Sequence, residues 1–266
     1  MMEKPIDSTR WQDRILAAFI FFTRLPFWRL HQPPRECYAS VVEYWPLTGW
    51  LTGGVMASVL YGGSFLLPWP VVVLIAIVSR LLLTGALHED GLADFFDGFG
   101  GGGSNRQRVL AIMKDSHIGT YGVLALLLYV LLLAAVLYSL PPLVAALAVI
   151  VGDPYAKMVS SQLTQMMPYA RTEETAKSHT VYRKASLRAG LGLAVQGLLP
   201  MAVVVCCWWP LSFDPMPLLF VPALTMYFLY RFIWSRLRGY TGDCCGAVCL
   251  LTELSFYLTL VVLLIP

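Results

Sequence analysis

The sequence predicts an all-α integral membrane protein with about seven transmembrane helices and an N-terminal interfacial helix, in one polytopic domain over 1–266. Three observations carry this prediction. Of the 266 residues, 58% are hydrophobic and only 13% are charged, whereas about a quarter of an average soluble domain is charged. The mean hydropathy is +0.66. The apolar runs also approach the ~20 residues that a helix needs to cross a bilayer.

The N-terminal segment 10–30 combines aromatic side chains with four arginines, which is too much charge for a transmembrane helix. It suits a helix in the membrane interface, with its apolar face in lipid and its arginines toward the headgroups. Pro26 should end or kink this helix. We expect no cleaved signal peptide, because the polar start of the chain lacks the required order of charged, apolar and cleavage regions. The apolar runs that follow predict seven spans, at 40–66, 70–87, 121–140, 143–164, 188–208, 217–235 and 246–265.

The first predicted span is rich in glycine. Gly49 and Gly53 have the spacing of small residues that lets two helices approach closely. We therefore expect this span inside the helix bundle.

Positive charge predicts the orientation. The predicted loops 67–69, 141–142 and 209–216 contain no lysine or arginine, and all 19 of these residues lie at or toward the opposite side. Cytoplasmic loops carry an excess of lysine and arginine. The N-terminus, the segment 88–120 and the basic loop 166–188 are therefore expected in the cytoplasm, and the C-terminus outside.

The segment 88–98 reads His-Glu-Asp-Gly-Leu-Ala-Asp-Phe-Phe-Asp-Gly and holds four of the 16 acidic residues. On a helix, Asp90, Asp94 and Asp97 lie at i, i+4 and i+7 and share one face. Like charges at this spacing repel one another, and a bound divalent cation would offset the repulsion. Carboxylate oxygens suit Mg²⁺, with Mn²⁺ as the alternative. The competing interpretation is a solvated helix face.

The glycine-rich run 98–104 predicts an interruption of regular structure, either a mobile loop over a site or a plain linker. Basic residues follow in 105–114 and in 166–188. Acids and bases on one membrane face suit a phosphate-bearing substrate, because metal ions and arginines both bind phosphoryl oxygens. For single basic residues, the positive-inside rule is an alternative explanation that needs no substrate.

Six motifs resemble, in order and spacing, the cobalamin synthase family (adenosylcobinamide-GDP ribazoletransferase) over about 19 to 258. The two specific motifs are His88 to Gly98, quoted above, and Ile112-Met-Lys-Asp-Ser-His-Ile-Gly-Thr-Tyr-Gly122. The weaker ones are Phe22-Thr-Arg-Leu-Pro26, Trp45-Pro-Leu-Thr-Gly49, Tyr169-Ala-Arg171 and Thr241-Gly-Asp243, with Glu253 following.

The resemblance implies a Mg²⁺-dependent transferase in the bacterial cytoplasmic (inner) membrane, with its active site on the cytoplasmic face. A hydroxyl of α-ribazole, or of its 5′-phosphate, would attack the cobinamide-linked phosphorus of adenosylcobinamide-GDP. GMP would leave, and adenosylcobalamin or its 5′-phosphate would form in the last assembly step of the nucleotide loop.

The resemblance also implies the site residues. The expected metal ligands are Glu89, Asp90, Asp94, Asp97 and Asp115. Of these, Asp94, Asp97 and Asp115 are expected to be catalytic, with Asp115 as a further ligand or as the base that takes the hydroxyl proton. The expected substrate-binding residues are Arg24, His88, Arg106, Arg108, Lys114, His117, Thr120, Arg171, Thr241 and Asp243.

Some positions depart from the family pattern. Asp153 stands where the resemblance leads us to expect an arginine, and Lys157 is a candidate substitute one turn later. Glu89 stands where an apolar residue is common, so it is either an extra ligand or simply solvated. The piece Asp94-Phe-Phe-Asp97-Gly98 is similar to the start of the CDP-alcohol phosphotransferase motif, but the rest of that motif is absent.

Two other functions compete with this interpretation. A membrane prenyltransferase also holds a diphosphate through Mg²⁺, but normally with two aspartate-rich motifs, and this chain has one strong one. A transporter would use acids within the membrane, with Asp153, Glu253 and Glu43 as candidates. The sequence suggests no nucleic-acid partner and no disulfide or zinc site, and it is compatible with an oligomer.

Overall fold

The all-α prediction is confirmed by the computed structural model, which describes residues 9–171, 182–208 and 214–265. Short 3₁₀ segments cover Phe27–Arg29 and Arg35–Tyr44. The described residues form ten α-helices: α1 (Trp11–Phe22), α2 (Trp45–Gly63), α3 (Trp69–Thr84), α4 (Leu87–Gly102), α5 (Arg106–Lys114), α6 (Thr120–Tyr138), α7 (Pro142–Met166), α8 (Leu187–Trp208), α9 (Met216–Leu237) and α10 (Gly242–Leu264).

The long helices are those of a multi-pass membrane protein. Within the described ranges, α6 to α10 are each long and apolar enough to cross a bilayer, and α3 with α4 forms a bent pair that would make a sixth span. The seven-span count is not confirmed, since α2 is not among these helices and α3 does not qualify alone. Helix α2 instead buries nine of its 19 residues in the bundle.

Helix α1 is shorter than the interfacial helix predicted for 10–30. It ends at Phe22, four residues before Pro26, where Thr23 donates both its backbone N–H (3.1 Å) and its hydroxyl (2.6 Å) to the carbonyl oxygen of Phe19. Trp11 is exposed at its start, whereas Ala17 and Ala18 are buried. The interfacial position of this helix stays a prediction.

The close approach predicted for the glycines of α2 is confirmed against α7. A Cβ atom at Gly49 would lie 2.8 Å from the Cα atom of Pro154, and one at Gly53 would lie 2.7 Å from the carbonyl oxygen of Val149. The same contact buries Asp153 and Lys157 of α7, which pair with each other. The hydroxyl of Thr52 donates to Asp153 at 2.5 Å.

This contact predicts opposite effects for two adjacent glycines. Gly53→Ala should destabilise the protein by about 1–3 kcal/mol, because its Cβ atom would overlap a backbone oxygen. Gly54 has no atom within 4 Å of its Cβ position, so Gly54→Ala should stabilise by about 0.5–1 kcal/mol through helix propensity. Unfolding of the two variants in detergent measures both values. Equal effects would contradict the close approach of α2 and α7.

A 90° bend separates α3 from α4. Gly85 and Ala86 both have positive φ angles, of 65° and 55°, which end α3 and redirect the chain. Arg24 lies across the bend, since its backbone N–H donates to the carbonyl of Leu83 at 2.7 Å and its side chain covers Gly85. The acidic segment thus starts a separate helix that runs across α3.

The expectation of a loop or linker at 98–104 is wrong, because α4 continues to Gly102. Because glycine has no side chain, residues of α5 and α6 pack directly against the backbone of this helix. A Cβ atom at Gly102 would lie 2.8 Å from the Cα atom of Val109, and one at Gly100 would lie 2.6 Å from the ring of Tyr121. Packing of α5 and α6 against this glycine face therefore outweighs the weak helix propensity of glycine.

The core contains a buried ionic cluster between α3 and α10. Both Glu253 carboxylate oxygens accept hydrogen bonds from Arg80, at 2.7 and 2.8 Å. Arg80 also donates to the hydroxyl of Tyr129, and Tyr257 donates to Glu253. Glu43, another acid that a transporter would use, pairs with Arg183 at 2.7 Å. All three acids of the transporter interpretation are therefore in ion pairs.

Candidate active site

The crossing of α4 and α10 brings two distant sequence motifs together. A Cβ atom at Gly91 would lie 3.1 Å from the carbonyl oxygen of Asp243, and one at Gly246 would lie 3.1 Å from the carbonyl oxygen of His88. A side chain at either position would push the two backbones apart by a few tenths of an ångström. The crossing places the start of the acidic helix beside the first turn of α10.

A cavity of about 150 Å³ opens at this crossing. Four of the predicted site residues line it, namely His88, Asp90, Arg171 and Asp243. Two carboxylates and one guanidinium therefore face a common space. The volume is below the roughly 300–1,000 Å³ of a typical small-molecule pocket, so a ligand of that size would fit in it only in part.

Aromatic side chains make much of the remaining wall. Phe22, Trp45 and His88 stack with interplanar angles of 7–14°, and the Trp45 indole N–H donates to His88 Nε2 at 3.3 Å. Tyr169 and Tyr182 line the cavity as well. The sequence interpretation did not assign these aromatic residues to the site, although Phe22, Trp45 and Tyr169 stand in the motifs that carried the resemblance.

The segment that carries Arg171 is held by backbone hydrogen bonds. The backbone N–H of Ala170 donates to the carbonyl oxygen of Tyr240 at 2.8 Å. Arg106 donates to the carbonyls of Ala170 and Leu237, both at 2.7 Å, and Arg171 donates to the carbonyl of Leu110 at 3.0 Å. Arg106, predicted to bind substrate, thus fixes one wall of the cavity. The rest of the basic loop, 172–181, lies outside the described residues.

The one-face geometry predicted for Asp90, Asp94 and Asp97 is present on α4, with different surroundings at each position. Asp90 is exposed, Asp94 is partly buried and Asp97 is buried. The Asp97 carboxylate accepts the backbone N–H groups of Gly119 (2.7 Å) and Gly122 (2.9 Å), at the start of α6. Asp97 therefore caps α6 and keeps lone pairs for a further ligand.

Asp115 lies in the turn between α5 and α6 and pairs with His117. The side chains are 57% and 89% exposed, and His117 Nδ1 is 2.6 Å from the Asp115 carboxylate. The hydrogen bonds from His117 lower the pKa of the Asp115 carboxyl group. The carboxylate in turn raises the pKa of the His117 imidazole. Asp115 is thus a weaker base here than an isolated aspartate.

This pair predicts a titration that can be measured. His117 should titrate above the ordinary value of 6.5, and Asp115→Asn should lower its pKa. The stabilising effect of the pair should be lost as the pH rises through the raised pKa of His117, and also as it falls through the lowered pKa of Asp115. NMR of labelled histidine in micelles measures the titration, with Asp214→Asn as the control. An unchanged His117 pKa in Asp115→Asn would contradict the pairing.

The other predicted site residues lie outside the cavity lining. Thr241 is buried and caps α10 by accepting the N–H of Cys244 at 3.3 Å. Besides Arg106 and His117, four predicted ligands are exposed, namely Arg24, Arg108, Lys114 and Thr120. Their contact with substrate stays a prediction.

Glu89 and Lys157 are both buried in the bundle. A Glu89 carboxylate oxygen is 3.7 Å from Arg80, so the interpretation of Glu89 as a solvated side chain is wrong. Packing of α4 against the bundle turns this residue inward. Lys157 pairs with Asp153 and does not line the cavity.

The carboxylates of the cavity suit a Mg²⁺ ion that takes its other ligands from substrate phosphates and water. The described residues contain no group of three or more histidine, cysteine, aspartate or glutamate side chains placed to hold a metal ion. Mg²⁺, however, is usually bound by one or two carboxylates together with substrate phosphates and water. Asp90 and Asp243, which face the same cavity, supply that number of hard oxygen ligands.

The fold and the cavity together define a polytopic α-helical membrane protein with a carboxylate, guanidinium and aromatic site at one end of its bundle. The family model described as CobS, cobalamin-5-phosphate synthase, matches residues 14–261. The chain therefore belongs to the cobalamin-5-phosphate synthase family.

Two named relatives are similar to this chain over nearly its whole length. A protein of Shewanella baltica named adenosylcobinamide-GDP ribazoletransferase is 35% identical over 253 residues, covering 94% of each chain. One of the same name from Shewanella frigidimarina is 33% identical over 266 residues, covering 97% of this chain and 98% of the relative. No solved structure matches the chain.

Proposed function

We propose that this chain is an adenosylcobinamide-GDP ribazoletransferase that completes the nucleotide loop of cobalamin. The observation that carries the proposal is the family match over 14–261, a range that contains all the residues of the cavity. The names of the two Shewanella relatives agree with this activity.

The reaction is a phosphoryl transfer. A hydroxyl oxygen of α-ribazole, or of its 5′-phosphate, forms a bond to the cobinamide-linked phosphorus of adenosylcobinamide-GDP. The bond between that phosphorus and the bridging oxygen of the diphosphate breaks, and GMP leaves with the electron pair. The hydroxyl proton passes to a base. The protein has to position both reactants in line and to offset negative charge.

The cavity side chains suit these tasks. The Arg171 guanidinium can donate two parallel hydrogen bonds to phosphate oxygens. Asp90 and Asp243 are the carboxylates near enough to the same space to orient the attacking hydroxyl or accept its proton. The aromatic wall offers flat faces to the base of the ribazole. Asp94, Asp97 and Asp115 remain candidates for ligands from the α4 face and from the turn after α5.

Mg²⁺ held by Asp90, Asp243 and the substrate diphosphate would neutralise phosphoryl charge. We include Asp94 and Asp97 as further candidate ligands, because they lie on the same helix face as Asp90. Mn²⁺ offers the same hard-ligand chemistry.

We place the site at the cytoplasmic surface of the bacterial inner membrane. The support is the distribution of lysine and arginine along the chain and the 90° bend before α4. Here we take α3 alone, rather than the bent pair, to cross the membrane, so that α4 at 90° to it runs along the membrane surface. Water-soluble reactants could then reach the α4 face while most of the corrinoid stays outside the small cavity.

The test is turnover by the purified protein in detergent or lipid. Adenosylcobinamide-GDP, α-ribazole 5′-phosphate and Mg²⁺ are mixed, and GMP and the corrinoid product are followed by chromatography. We expect one GMP per cobalamin 5′-phosphate, with loss of turnover in EDTA and recovery on adding Mg²⁺. Absence of GMP from folded protein would contradict the proposal, and would favour a prenyl- or CDP-alcohol-type transferase.

A further inference from the structure

A second cavity, of about 440 Å³, shares no lining residue with the cavity of the proposed active site. Its walls come from α1, from the end of the Arg35–Tyr44 segment, from residues 183–186 and from the first turns of α8. Its charged lining consists of Arg14, Glu43, Arg183, Lys184 and Arg188.

The cavity has a strong excess of positive charge. Its single carboxylate, Glu43, is already held by two hydrogen bonds from Arg183, at 2.7 and 3.2 Å. Lys184 and Arg188 add two more cationic side chains to the lining. An anion in the cavity would therefore meet several cationic donors and no unneutralised carboxylate.

The first turns of α8 present two neighbouring stripes. Arg188, Gly192 and Gln196 line the cavity. The residues just before each of them expose apolar side chains: Leu187, Leu191 and Val195 are 82%, 61% and 61% exposed. Because α8 is long and apolar enough to cross a bilayer, such an exposed stripe faces lipid acyl chains.

We propose that this cavity binds the phosphate headgroup of an anionic phospholipid. Lysine and arginine donate strong hydrogen bonds to phosphate oxygens, and basic pockets beside membrane helices at the cytoplasmic surface bind such headgroups. The lipid rather than a soluble phosphate is favoured because the acyl chains can lie along the apolar stripe of α8. The headgroup then ties the start of α8 to α1.

The experiment is a titration of purified protein with phosphatidylglycerol, followed by native mass spectrometry. The variant Lys184→Gln/Arg188→Gln removes two cations from the cavity. The control variant Arg29→Gln/Arg35→Gln removes the same charge from exposed positions outside it. We expect the first to bind the lipid at least about tenfold more weakly, because hydrogen bonds between charged groups are lost, and the control to bind as the unmodified protein does.

A third variant separates a binding defect from a folding defect. Gly192→Leu keeps every charge and adds a side chain at the cavity wall, where the nearest atom to a Cβ position is 3.8 Å away. It should also weaken binding of phosphatidylglycerol. Unchanged binding in both cavity variants would overturn the assignment of the site. Displacement of the lipid by an equal concentration of inorganic phosphate would overturn its assignment to a lipid.

Discussion

Asp90→Asn should lower kcat/KM for GMP release by about 10²–10³-fold while the protein stays folded. Asp90 is the exposed member of the acidic face of α4 and shares the cavity with Asp243 and Arg171. The substitution keeps the shape of the side chain and removes its charge. A loss of this size is typical when one preorganised electrostatic contact to a transition state is removed.

The matched control is Asp214→Asn, because Asp214 is an exposed acid outside the cavity. It should turn over as the unmodified protein does. The Mg²⁺ concentration for half-maximal rate should rise in Asp90→Asn and stay unchanged in the control. Turnover of Asp90→Asn near that of the unmodified protein, with the same Mg²⁺ dependence, would show that this carboxylate has no part in the reaction.

Arg80→Met should lower the free energy of unfolding by about 3–5 kcal/mol, because it leaves buried acids without their cation. Arg80 and Glu253 are 4% and 3% exposed, so water cannot replace the lost hydrogen bonds. Glu89 also faces Arg80, at 3.7 Å. Unfolding in detergent by heat or by a denaturing detergent measures the loss.

The double variant Arg80→Met/Glu253→Met tests whether the loss comes from an unpaired charge. Replacing both members of a buried pair by apolar side chains of similar volume is often close to neutral. The double variant should therefore regain part of the stability lost in Arg80→Met, while Glu89 stays buried without its cation. If the effects of the two single variants simply add, the pair is not coupled and the reason given for the cost is wrong.

Local sequence pattern was sufficient for several features. The low charge and long apolar runs predict a helical membrane protein, because a bilayer leaves backbone groups no other partners. The spacing of Gly49 and Gly53 predicts the close contact of α2, and the spacing of the aspartates predicts one helix face. Each of these properties depends on residues within a few turns of one another.

Other sequence predictions were wrong where packing decided the outcome. The glycines after Asp97 favour a break in an isolated chain, yet α5 and α6 pack on them and α4 continues to Gly102. Pro26 would end a helix, but α1 already ends at Phe22. Glu89 could have been solvated, and the bundle buries it opposite Arg80.

The sequence by itself determined the membrane class, the acidic face of α4 and, through its motifs, the family. Only the tertiary structure decided which of those acids share a cavity with Arg171 and the aromatic rings, and which one caps α6. Asp90 and Asp243 are far apart in the chain, and they line the same cavity because α4 and α10 cross closely at Gly91 and Gly246. This arrangement depends on packing between helices, which no local pattern of residues encodes.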